Sequence, residues 1–151
     1  MRYYEYFTKV AELAPKHPEQ ASALLREAES YALQSVPEHL VLCARSWEVN
    51  LHDHDNAMRC MLEGECRAND CYMFLFLATA HLEHFGTITL AERCFRKAVN
   101  LAESEDDFVR ICEFFETFDP DMAYRCRPVL MQLEQRLQAS ATQQLEQGRD
   151  G

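Results

Sequence analysis

Residues 40–47 of the chain read LVLCARSW, with a large, a medium, a small and an aromatic side chain at positions 40, 43, 44 and 47. The same pattern returns without gaps at a spacing of 34 residues, starting at positions 40, 74 and 108. A fixed period of this length indicates one supersecondary unit that buries its apolar face against copies of itself. The two later copies are Phe74, Leu77, Ala78 and His81, then Phe108, Ile111, Cys112 and Phe115.

A second apolar set follows each copy at helical spacing, so each unit is predicted to be a pair of helices. We therefore predict an all-α fold of about four antiparallel pairs, with residues 1–138 as a single domain. The last helix is expected to run from Pro120 to about Gln138 as an extended cap, because the polar Arg127 replaces the apolar residue of earlier units. Residues 139–151 are polar and are expected to form a disordered tail. The second sets are Ala57–Cys60–Met61–Gly64, Ala91–Cys94–Phe95–Ala98, Ala123–Cys126–Arg127–Leu130 and, more faintly, Ala21–Leu24–Leu25–Ala28.

Composition favours a globular helical protein. Hydrophobic residues make up 48% of the 151 residues and charged residues 26%, while four Gly and five Pro are few. No apolar run approaches the roughly 20 residues of a membrane span, and the first residues lack the apolar core of a signal peptide. The seven cysteines are an odd number, and five of them fall on packing positions of the repeat. Free thiols of this kind predict a reducing, cytoplasmic location.

The charge balance excludes two classes of partner. The net charge is −10, from 15 Lys and Arg against 25 Asp and Glu. Nucleic acids and anionic membrane surfaces are bound mainly through basic residues, so neither is expected here.

The pattern resembles the tetratricopeptide repeat family. The first helix of that repeat is described by Leu40–Cys43–Ala44–Trp47, and its second helix by Ala91, Phe95 and Ala98. The likeness covers roughly residues 38–130, although the turn within each unit is one residue longer than in the usual pattern and the closing proline is absent after helices four and six. The resemblance implies a right-handed α-solenoid with a concave groove that holds a peptide or a partner helix, as an interaction scaffold, adaptor or chaperone-like module.

Projecting the family's groove onto this chain gives ten expected partner-binding residues. The implied floor has an apolar stripe with mostly acidic residues around it, so the expected ligand is an apolar segment of a protein with basic flanks. The residues are Val41, Arg45, Glu48, Tyr72, Leu75, Thr79, Leu82, Val109, Glu113 and Glu116.

The apolar stripe has a second interpretation. It could pack against a neighbouring helix, either the C-terminal segment of the same chain or a second copy. The alternative function is therefore a self-assembling homo-oligomeric repeat protein.

One turn carries residues of the kind that bind metals. His52-Asp53-His54-Asp55 offers imidazole and carboxylate groups, so a metal-binding protein is a further, less favoured alternative function, but contiguous residues seldom converge on one ion. The favoured interpretation is a polar turn in which Asp55 caps the next helix. No C-x-x-C pair, phosphate-binding loop or nucleophile motif is present, so we predict no enzyme, no catalytic residue and no cofactor.

Overall fold

A computed structural model describes residues 2–150, and within them every regular element is a helix. The predicted all-α class is confirmed. The elements are α1 (Tyr3–Leu13), α2 (Pro18–Ala32), α3 (Pro37–Leu51), α4 (His54–Arg67), α5 (Cys71–Ala80), a π-helical turn (His81–Phe85), α6 (Ile88–Leu101), α7 (Glu105–Phe115) and α8 (Pro120–Asp150).

Local chemistry explains where most of these helices begin. Proline occupies the first position of α2, α3 and α8, where its missing N–H removes no intrahelical bond. Ser104 and Asp107 form a reciprocal capping box at the start of α7. Asp70 and Asp119 each accept a backbone N–H three residues on, at 2.7 and 2.8 Å.

The cap of α4 corrects the sequence prediction. Asp53, and not Asp55, is the N-cap: its Oδ1 accepts the Asn56 backbone N–H at 3.0 Å, and its Oδ2 accepts the Asn56 side-chain amide at 2.7 Å. The helix starts earlier than expected because His52 takes the left-handed conformation (φ 51°) and reverses the chain at once.

The fifth helix ends in a π-helical turn, which is wider than an α-helical turn. The sequence predicts one regular helix over residues 71–84, whereas the structure changes from α to π geometry at His81. Gly86 then terminates the helix with φ 64°, the left-handed conformation expected of it.

The last helix is longer than predicted. It continues past Gln138 to Asp150, through most of the segment 139–151 that was expected to form the tail. Ala, Gln, Leu and Glu dominate this segment and are good helix formers, which sequence polarity alone had concealed. Gly151 lies outside the described residues.

Contacts divide the chain into two compact units where one domain was expected. Unit 1 comprises the chain up to Ala68 together with Ala80–Gly86, and unit 2 comprises Asn69–Thr79 together with the chain from Thr87. In unit 1, α1, α2 and α3 pack against one another and α4 packs on α3. In unit 2, α6, α7 and α8 pack against one another.

Many of the repeat positions are buried in these units, although Phe108, Cys112 and Phe115 are half-buried. In unit 1, Leu40, Cys43, Ala44 and Trp47 are all 2% exposed or less. In unit 2, Phe95 is fully buried and contacts the rings of Phe114, Phe115 and Phe118. Within residues 2–150, no helix is both long enough and apolar enough to cross a membrane.

Candidate functional site

A buried carboxylate organises the interior of unit 1. Glu29 of α2 accepts hydrogen bonds from the Trp47 indole of α3 and from the Cys60 thiol of α4, the latter at 2.8 Å. Arg59 of α4 donates to both of its oxygens, at 2.7 and 3.0 Å. Since Glu29 is only 8% exposed, these donors compensate its loss of hydration. Three helices are thereby held by one side chain.

This cluster is a structural element and not a reactive centre. Burial and the adjacent Glu29 carboxylate raise the pKa of the Cys60 thiol, so the thiolate that a nucleophile requires is disfavoured. Unit 2 repeats the arrangement at Glu92, whose carboxylate accepts from Arg125 at 3.2 Å and contacts the Cys126 thiol at 3.6 Å.

The side chain of Tyr3 fastens α1 to α3. Its hydroxyl donates to the His39 carbonyl oxygen at 3.0 Å and lies 3.4 Å from the Cys43 sulfur. Its ring stacks on the His39 imidazole with the centroids 4.4 Å apart. These contacts hold α1 and α3 side by side. The surfaces of the two helices next to these contacts stay open to solvent.

An open groove follows the line between these two helices. It has a volume of about 420 Å³, and two of its apolar walls, Tyr4 and Val49, are 69% and 65% exposed. It runs along α3 from Leu42 to Asn50, a rise of about 12 Å. That length accommodates about two turns of a helix or a short extended segment. The groove residues are Tyr4, Phe7 and Thr8 from α1, and Leu42, Arg45, Ser46, Val49 and Asn50 from α3.

The groove carries a single charged side chain, Arg45. Among residues 2–150, Arg45 has no hydrogen bond or ion pair, and its guanidinium acts electrostatically on His84. Burial and then Arg45 lower the pKa of His84, against an opposing effect of Glu83. The imidazole is accordingly kept neutral at pH 7, and Arg45 supplies the positive charge of the groove.

Three other expected partner-binding residues belong to unit 1 with Arg45. Val41 is only 3% exposed and is part of the interior, and its role in partner binding remains a prediction. Glu48 is half-buried and pairs with His54 Nδ1 at 2.9 Å. Leu82 lies half-buried in the π-helical turn.

Six expected residues belong to unit 2. Leu75 is 7% exposed, so it too is an interior residue, whereas Val109 is 51% exposed. The Tyr72 ring lies under the Arg110 guanidinium, 5.7 Å from the centroid, and Thr79 donates its hydroxyl to the Leu75 carbonyl. The remaining two, Glu113 and Glu116, are exposed on α7 and at its C-cap. A floor continuous from Val41 to Val109 remains a prediction.

Sequence reasoning missed most of the groove. Of the ten expected residues only Arg45 lines it, because the projected positions began at the third helix and left α1 out. Aromatic residues of the first helix at helical spacing, such as Tyr4 and Phe7, were the available signal. Their periodicity alone could not separate a packing face from a groove face.

The turn at residues 52–55 has other roles than metal ligation. Asp53 caps α4 and His54 pairs with Glu48, so the side chains point to different partners. In the part of the chain that the structure describes, no three His, Cys, Asp or Glu side chains converge to hold an ion.

Comparison of the chain with protein-family models, with curated proteins and with solved structures finds no match. The function must therefore be argued from the geometry of the chain itself.

Proposed function

We propose that this chain is a protein-interaction module that holds an apolar segment of a partner protein in the groove between α1 and α3. The observation that carries the proposal is the groove itself. Tyr4 and Val49 expose apolar surface on opposite walls, and the helices beneath them are held rigidly by Tyr3 and Glu29. A preformed apolar cleft on a rigid scaffold binds a segment at little cost in ordering.

The packing of the helices supports a tetratricopeptide-like architecture. In unit 1, α2 contacts α1 and α3, and α1 also contacts α3, as expected when first helices of successive pairs lie side by side. In unit 2, α6 contacts both helices of the following pair. We propose that the four pairs form a right-handed α-solenoid capped by α8.

The expected ligand is apolar where it enters the groove. Arg45 disfavours a basic residue at that point, whereas the net charge of −10 favours basic residues in the partner outside the groove. We propose a cytoplasmic setting because the seven cysteines, all within the described residues, form no disulfide, and the proposal assigns the chain no catalytic step.

The test has two stages. Partners are first captured from an extract of the native host and identified by peptide sequencing, and segments of the captured protein are then synthesised and titrated calorimetrically. Val49→Asp should weaken binding at least about tenfold, because one buried aliphatic side chain is worth about 1.5 kcal/mol or more. Tyr4→Asp on the opposite wall should act in the same direction.

The matched control is Leu62→Asp. Leu62 is 47% exposed on α4 and does not line the groove, so binding should be unchanged while circular dichroism shows that all three variants are folded. Equal binding by Val49→Asp and the unmodified protein would remove the groove from the proposal.

A further inference from the structure

The exposed apolar residues of α8 recur with a seven-residue period. Tyr124, Met131 and Leu145 are 82%, 53% and 68% exposed, and they are the large hydrophobic residues of this helix that solvent reaches most. They occupy three of the four positions 124, 131, 138 and 145, and Gln138 occupies the other. A 3.5-residue repeat is the signature of a helix that packs along its length against another helix.

The intervening positions complete an uncharged stripe. Pro128, Gln135 and Thr142 lie between the members of the first set, with alternating spacings of four and three residues. Thr142 donates its hydroxyl to the Gln138 carbonyl within the helix, which leaves its methyl group for packing. In a chain with 26% charged residues, this seam has none. We call it the α8 seam: Tyr124, Pro128, Met131, Gln135, Gln138, Thr142 and Leu145.

The surface of the seam has the shape that a partner helix needs. A depression of about 570 Å³ is lined by residues of α8 alone. Four of them, Tyr124, Arg127, Pro128 and Met131, stand at i, i+3, i+4 and i+7, which are the corners of the hole that receives one side chain in a coiled coil. Gln132 and Gln135 complete a second hole with Pro128 and Met131.

The far end of α8 adds an independent reason for a partner. From Gln138 to Gln147 every side chain is exposed, and the neighbours of these turns within the unit are limited to an open pocket that Gln138 and Gln144 share with Phe108. An isolated helix of this length is marginal in water. A second helix along the seam would bury Leu145 and stabilise the segment.

From the seam we infer that α8 pairs, parallel and in register, with α8 of a second copy of this chain. In that arrangement each seam residue meets its own counterpart, so Met131 and Leu145 form apolar layers and Gln138 forms an amide pair in which each side chain both donates and accepts. An antiparallel pair in which the two helices overlap over their greatest length instead places Met131 of one copy against Thr142 of the other. In that arrangement Met131 does not meet its apolar counterpart.

The flanking charges are compatible with this pairing. Residues that meet across a parallel coiled coil are five apart, and these pairs are Arg127 with Gln132, Glu134 with Ala139, and Ala141 with Glu146. None brings like charges together. The second copy is therefore the occupant that this seam fits, and the inference is independent of the α1–α3 groove.

The first test measures mass against concentration by sedimentation equilibrium. The unmodified protein should dimerise reversibly, and Met131→Glu or Leu145→Glu should raise the dissociation constant at least about tenfold, because each charge occurs twice across the two-fold axis. Ile88→Glu is the control: Ile88 is 43% exposed in the same unit but lies on α6. A monomer at every concentration, or a dimer unaffected by both seam variants, overturns the inference.

The second test examines direction by oxidative cross-linking. Cys66 is the exposed cysteine, so a Cys66→Ser background is used. Gln138→Cys should give a disulfide-linked dimer, whereas Ser140→Cys, on the far side of the helix from the seam, should not. A dimer that cross-links through position 140 and not through position 138 overturns the parallel pairing.

Discussion

The indole of Trp47 donates its hydrogen bond to the carboxylate of Glu29, although both side chains are nearly completely buried. A tryptophan N–H can only donate, so in this interior it depends on one acceptor. The same carboxylate serves Cys60 and Arg59, and α2, α3 and α4 are therefore interdependent.

Replacement of Glu29 tests that interdependence. Glu29→Ala should lower the free energy of unfolding by about 2–4 kcal/mol, because the Trp47 and Cys60 donors lose their acceptor in a dry interior. Urea titration followed by the fluorescence of Trp47, the one tryptophan of the chain, measures the change. Glu63→Ala is the control, since Glu63 pairs with Arg67 where both side chains are more than 40% exposed, and it should cost about 0.5 kcal/mol or less. Equal costs for the two variants would contradict the role of Glu29.

A pH dependence is expected from the cap of α4. Hydrogen bonds from the Asn56 backbone and side chain lower the pKa of Asp53 below its ordinary value of 3.8. The stabilisation from this ionised group is complete above pH 3.8 and is lost as the pH falls through the lower pKa of the folded state. Asp53→Asn keeps an acceptor for the Asn56 N–H but does not titrate, so the difference in unfolding free energy between the two proteins should shrink on acidification. A difference that does not vary with pH would exclude this linkage.

Thiol reactivity should follow burial. Burial raises the pKa of Cys43 to about 11 and of Cys71 to about 11, and neither forms a thiolate at neutral pH. Cys66 is exposed on α4 and should be alkylated first in the native protein, with the adduct located by mass spectrometry. Cys66→Ser should abolish the fast phase, and rapid labelling of Cys43 in the folded protein would disprove the predicted order.

Two glycines should respond to alanine in opposite directions. Gly86 has a positive φ of 64°, so Gly86→Ala should destabilise the protein by about 1–2 kcal/mol, although the new methyl group meets no atom within 4 Å. Gly148 lies within α8 in open space, and Gly148→Ala should increase the stability of that helix by about 0.5–1 kcal/mol. Circular dichroism during thermal unfolding compares both with the unmodified protein. A change of the same sign in both would contradict the backbone assignment.

The helical spacing of apolar residues predicted much of the interior of unit 1, because packing imposes this spacing on the sequence. Leu40, Ala44 and Trp47 are buried as their spacing required, and the arginine at position 127 is exposed where Met61 and Phe95 are buried. The solenoid itself, the partner and the cytoplasmic location remain predictions.

Features that depend on hydrogen bonds between distant helices were less accessible. Glu29 lies 18 residues from Trp47 and 31 from Cys60, so no helical periodicity predicts that these side chains meet. The recurrence of Arg-Cys at 59–60 and 125–126 was a usable signal, because each pair lies against a glutamate of an earlier second helix. The groove was missed for a related reason: the projected positions began at α3, and the sequence alone does not show that α1 packs beside that helix.

Arg136 has a consequence for how α8 can be dissected. Its guanidinium donates to the carbonyl oxygens of Val99 and Ala102, both at 2.9 Å, at the end of α6. Beyond Leu137 the described side chains of the helix are exposed, so a stop codon introduced shortly after Arg136 should leave the packing of α6 and α7 intact and remove Leu145 from the seam. The shortened protein should therefore lose the inferred pairing through α8 while the other helices keep their packing. It should be monomeric and suitable for crystallisation.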